Sequence, residues 1–164
     1  MVDDDGVVRE KLADDPSCTS FILYDLEGEL FFSAAPELER YLTALTDRAQ
    51  VEGVNRIVVR LKRTRNPDVV CLEQLEHFLK RAESLGIEVL LAGMRPDLLD
   101  AFRRLRFSEW FPEERIFPQG TDEDSATLAA IRRVYENLDG TNGCQHCAPK
   151  RAINAGRGRL YFRV

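Results

Sequence analysis

Cys144-Gln145-His146-Cys147 brings together the most chemically capable side chains of this sequence. Two cysteines separated by two residues can share one metal ion or close a redox pair, and His146 can add a third ligand. A closed zinc site needs four ligands, and no second pair is present. Cys18, Cys71 and His77 lie far away along the chain. Cys144, His146 and Cys147 are therefore metal candidates only if a second chain or a membrane domain completes the set, and a tail without fixed structure is the plainer reading.

A second grouping is Arg63 and Arg65, just before the sequence Asn66-Pro67-Asp68 that opens a helical pattern. Guanidinium groups beside exposed helix N–H groups can receive a phosphate or another anion through charge-assisted hydrogen bonds. The sequence has neither G-x-x-x-x-G-K-[ST] nor G-x-G-x-x-G, so it adds no support of its own for a nucleotide. Asp68 reads first as a helix N-cap, worth about 1 kcal/mol. His77, between Glu76 and Phe78, has no acid–base partner in view and reads as a surface histidine. Glu113, Glu114, Asp122, Glu123 and Asp124 form an acidic strip that helix capping and solubility explain. No catalytic triad, paired carboxylates or cofactor loop emerges, so the expectation is a binding protein that needs no cofactor.

The elements that must position these residues centre on Arg56 to Ala92. Ile57-Val58-Val59-Arg60-Leu61 is rich in β-branched residues and reads as a buried strand. Lys62 to Asp68 reads as a polar loop. Leu72, Leu75, Leu79 and Ala82 share one face of a following helix. Gly86 ends it, and Ile87 to Ala92 reads as the next strand. Strand, helix and strand make a right-handed βαβ unit, whose first loop lies at the carboxyl end of a strand, where open α/β sheets usually meet ligands.

Upstream, Thr19 to Leu26 and Glu29 to Phe32 read as two strands joined by a Glu27-Gly28 turn, which is a hairpin. Ser33 to Pro36 opens a helix with Leu38, Tyr41, Leu42, Leu45 and Ala49 as its buried stripe, ended by Gly53. Downstream, Gly93 to Arg95 reads as a loop, and Pro96-Asp97 starts a short helix packed through Leu98, Leu99, Phe102 and Leu105. Phe107 to Glu114 is an aromatic connection holding the only tryptophan, Trp110. Arg115 to Phe117 is a short strand, and Thr121 caps a last helix with Leu128, Ile131, Tyr135 and Leu138 on its apolar face. Trp110 and Phe111 are candidates for an exposed docking surface, or else close the end of the core. The fold class is α/β, a mixed, mostly parallel sheet flanked by helices in the order ββα-βα-βα-βα. Residues 1–18 read as an acidic lead-in, 19–138 as the domain, and 139–164 as a glycine-rich basic tail.

Composition bounds the function. With 164 residues, 44% hydrophobic and 31% charged, the chain is long enough for one real core. A net charge of −5 speaks against a nucleic-acid partner. The longest apolar runs fall far short of the ~20 residues that cross a bilayer, and Met1-Val2-Asp3-Asp4-Asp5 does not open a secretion signal, so the chain is expected in the cytoplasm. Four cysteines so spread do not make a disulfide framework.

Leu26 to Ala35 resembles the first hairpin of STAS domains, in particular those of SulP-type anion transporters. Arg65-Asn66-Pro67-Asp68, Val89 to Pro96 and Glu114 to Pro118 fit the same pattern in order and spacing, so the resemblance runs from about Ser20 to Leu138. It implies an anti-sigma-factor-antagonist-like fold and a non-enzymatic regulatory module at the cytoplasmic side of a sulfate- or bicarbonate-type transporter. The implied partners are the transporter membrane domain or another cytoplasmic regulator, with a homodimer and guanine-nucleotide binding as further options. The regulatory loop and helix start would be Asn66, Asp68, Val69, Val70 and Cys71. The family's other large branch, the anti-sigma-factor antagonists, carries a phosphorylatable serine or threonine two residues after the aspartate. Here that position is Val70, which cannot accept the −1.5 to −2 charges of a phosphoryl group. Ser17, Ser20 and Thr64 lie elsewhere. This departure favours the transporter branch. The alternatives are a free-standing antagonist without its phosphorylation site, and a small metal or redox module using Cys144 and Cys147.

Overall fold

Ile57, Val58 and Val59 are fully buried, as expected for a strand covered on both faces. They sit near the middle of a four-stranded parallel sheet in the computed structural model, which describes residues 18–120 and 126–137. The strands are β1 (Ile22–Glu29), β2 (Arg56–Arg65), β3 (Glu88–Met94) and β4 (Ile116–Pro118), laid side by side in sequence order. The helices are α1 (Ala35–Val51), α2 (Val69–Ser84), α3 (Pro96–Arg104) and α4 (Ala126–Glu136). Single 3₁₀ turns stand at Phe32–Ala34, Phe107–Glu109 and Glu113–Arg115. Among the described residues no helix is long and apolar enough to cross a membrane.

Parallel neighbours need crossovers, and right-handed crossovers between strands laid in one direction put their helices on one face of the sheet. The apolar faces of α1, α2 and α3 accordingly meet Ile57, Val59, Leu61, Val89 and Leu91 in one large core. On the other face α4 covers Val58, Leu90 and Ala92. The α/β class and the helix-flanked sheet are as the sequence predicts.

The leading hairpin is not. Residues 22–29 are one strand, parallel to β2 throughout, and the element order is βα-βα-βα-βα. Gly28 at φ +116° lies inside this strand, past a register irregularity between Asp25 and Glu27. Glycine there stands within the ladder, paired with Thr64, and not at a turn. Phe31 and Phe32 fall in and beside the 3₁₀ turn instead of on a second strand. The loop after β2 is also shorter than expected. Lys62 to Arg65 continue the strand, because Glu27, Gly28 and Glu29 extend β1 beside them. β3 likewise runs on to Met94.

One side chain assigned to the core by its spacing is elsewhere. Tyr41 is exposed, and its hydroxyl donates to Glu37 Oε1 at 2.8 Å. Leu138 lies outside the described residues, as do Thr121 and residues 122–124 of the acidic strip.

Candidate functional site

Three hydrogen bonds bind the segment after β1 to the end of β2 and the start of α2. Leu30 N–H donates to the Arg65 carbonyl at 2.9 Å, and Asp68 N–H donates to the Leu30 carbonyl at 2.7 Å. The Cys71 thiol donates to the Phe31 carbonyl at 3.2 Å. Asn66 makes the turn between them at φ +51°, in the left-handed region that asparagine tolerates better than most residues. The loops leaving β1 and β2 therefore form one unit at the carboxyl edge of the sheet.

Asp68 is the N-cap of α2, as predicted. Its backbone is extended, at φ −86° and ψ 148°, and its carboxylate accepts the Val70 N–H at 2.8 Å. The cap frees Val69 and Val70 to occupy the first helical turn with their side chains outward, 53% and 41% exposed. Cys71 then turns inward and is fully buried. Burial pushes its thiol above the usual range, and the neighbouring Asp68 carboxylate adds to the rise.

Beside the two valines stand the aromatics of the 3₁₀ turn. Phe31 is 43% exposed and Phe32 is 69% exposed, their rings edge-on with centroids 6.5 Å apart. The four exposed apolar side chains stand on the two segments that these hydrogen bonds join at the amino end of α2. In the sequence alone Phe31 and Phe32 read as strand residues of a hairpin, which does not mark them as exposed. The signal available was an aromatic pair directly before a proline-started helix.

The other candidates do not gather at this face. Arg63 is on β2 and paired with Glu27, and Arg65 faces Glu29 in the strand register. Neither belongs to a free basic loop, which corrects their expected place. Thr64 is buried, its hydroxyl donating to the Leu61 carbonyl at 2.6 Å. Phe111 is buried, and Trp110 is half-buried between Phe107 and Phe111, with Lys80 Nζ 5.0 Å above its ring. They close the end of the core, so the expectation of exposed aromatics here is corrected. His77 is exposed and lines a shallow cleft between α1 and α2 with Glu39, Thr43, Gln74 and Arg81. Among the described residues no three acidic, histidine or cysteine side chains gather as for a metal. Cys144, His146 and Cys147 lie outside the described residues.

The family model of the STAS domain matches residues 14–123. A sulfate transporter family protein from Wolinella succinogenes superposes with a TM-score of 0.56 at 23% identity, covering 77% of this chain and 97% of that one. The anti-sigma factor antagonist SpoIIAA in its unphosphorylated form superposes at 0.54 with 14% identity, covering 76% and 96%. The phosphorylated form of the Bacillus cell fate determinant SpoIIAA gives 0.50 at 15%, covering 73% and 96%. At these identities the likeness is one of fold. No curated protein matches the chain.

Proposed function

The chain belongs to the STAS domain family, and from that premise we propose that it acts by binding and not by catalysis, as a regulatory docking module of a sulfate- or bicarbonate-type anion transporter. The observation that carries this reading is the apolar face of Phe31, Phe32, Val69 and Val70, held at the amino end of α2. Clustered apolar side chains in solvent mark interaction sites, and aromatic residues are the usual anchors of such interfaces. The partner is the transporter's membrane domain, or another regulator at the inner face of the membrane. Neither a nucleic acid nor a cofactor is needed.

Val70 supports the transporter branch. A valine two residues after the capping aspartate gives a kinase nothing to modify, so the face keeps its apolar character at all times. Binding that needs no charge switch suits a domain tied permanently to one partner.

The test is the affinity of the full chain for a detergent-solubilised SulP-type membrane domain from the same genome, beside an anti-sigma-factor kinase supplied with ATP. Binding to the membrane domain that weakens at least about tenfold in Phe32→Ala is the expected result. Binding to the kinase alone would move the chain to the second reading, an antagonist-like protein that has lost its hydroxyl.

A further inference from the structure

The sheet carries two separate cores of unequal size, one on each face. The larger joins α1, α2, α3 and the turn around Phe107 to the strands. The smaller consists of Phe21, Val58, Leu90 and Ala92 from the sheet side and Ala130, Ile131 and Val134 from α4. No buried residue belongs to both. From this division we infer that α4 is a latch, which opens from the sheet as one unit while the larger core stays folded.

The energetics of α4 agree with this. Its described part, Ala126–Glu136, has 11 residues, below the roughly 12–15 at which an isolated helix becomes even marginally stable in water. Its persistence therefore depends on the few apolar side chains it sets against the sheet. Among the described residues it is the one helix in that second core. Lifting it away breaks no contact within the larger cluster.

Its catch is at the carboxyl end. Arg56, at the start of β2, donates from its guanidinium to the backbone carbonyl of Asn137 at 3.0 Å. A cation at that end also favours the helix dipole. Arg56 is itself held by Glu88 at 3.3 Å, and Glu88 in turn lies 3.8 Å from Arg115. The Phe21 and Tyr135 rings meet edge-on at 5.8 Å beside this catch. Opening thus exchanges the Arg56 contact, those of Tyr135 and a small apolar interface for the conformational freedom of a short helix, and it uncovers Phe21, Val58 and Leu90.

Hydrogen exchange on the full chain tests the latch. The amides of residues 130–136 are expected to share one protection level, at least about tenfold below that of the α2 and β3 amides. Arg56→Gln is expected to lower the α4 level by a further factor of about ten and to leave α2 unchanged, and raised salt should act in the same direction. Protection in α4 equal to that in α2 would overturn the proposal. So would protection graded from the helix ends inward, which is ordinary fraying, or an Arg56→Gln variant that speeds exchange in α2 equally. If that variant does not fold, the unmodified chain decides alone, through the level and uniformity of α4 protection.

Discussion

The Cys71 thiol donates a hydrogen bond to the Phe31 carbonyl, 3.2 Å away across 40 residues of sequence. This bond joins the first turn of α2 to the aromatic turn after β1. Its donor exists only while the thiol keeps its proton. The packing that hides Cys71 favours that form, since burial opposes a buried thiolate.

A pH dependence follows. The thiol's pKa is higher in the folded chain than in the unfolded one. Above roughly pH 8.5 the unfolded chain begins to release this proton while the folded chain retains it. Stability contributed here is full below that pH and is lost as pH rises towards the folded value. Urea unfolding between about pH 8 and 10 should show a falling midpoint in the unmodified chain, and a shallower fall in Cys71→Ala. Tyr24, raised by burial first and by Tyr41 second, adds its own loss only above roughly pH 10.

The apolar face should matter for binding and not for folding. Phe32 and Val69 are both more than half exposed, so Phe32→Ala and Val69→Asp should change stability by no more than about 0.5 kcal/mol. The same changes should weaken the partner by at least about tenfold, near 1.4 kcal/mol. Thermal unfolding and calorimetric titration read the two effects separately. A large loss of stability with unchanged affinity would reverse the assignment.

Asp68 tests the cap. Asp68→Ala removes the acceptor for Val70 N–H and should cost about 1 kcal/mol, whereas Asp68→Asn keeps an acceptor and most of the stability. Circular dichroism melts of the two variants give the comparison. Equal losses would mean that the charge, and not the hydrogen bond, does the stabilising.

The features legible in the sequence were those set by a short-range rule. Leu72, Leu75, Leu79 and Ala82 are buried where helical spacing puts them, Gly86 ends α2 at φ +70°, and Asp68 caps its start. What the sequence does not show depends on contacts between distant segments. Glu27-Gly28 resembles a hairpin turn in isolation, but β2 continues far enough to hold those residues in the sheet, with Arg63 paired to Glu27. The same extension moves Arg63 and Arg65 out of the loop, and it leaves Phe31 and Phe32 at the site. Phe111 looked exposed because an aromatic connection carries no periodicity to say which way it turns. Its partners are Trp110 and the core end formed by Phe102 and Phe107.

Gly93 offers a last test of how closely β3 lies beside β2. Its φ is +74°, and a Cβ built there would meet Lys62 Cβ at 3.1 Å and Lys62 N at 3.2 Å. Gly53 has a similar φ of +66° but open space where the methyl would go. Alanine at Gly53 therefore carries the left-handed backbone cost alone, about 1 kcal/mol. At Gly93 the same cost is joined by a clash that neighbouring backbone cannot easily relieve, for a total of about 2–3 kcal/mol. Urea midpoints for Gly53→Ala and Gly93→Ala isolate the steric part by difference. Equal losses would show that the strands can part at Lys62 without cost, and that the close approach is not needed to hold the carboxyl edge of the sheet.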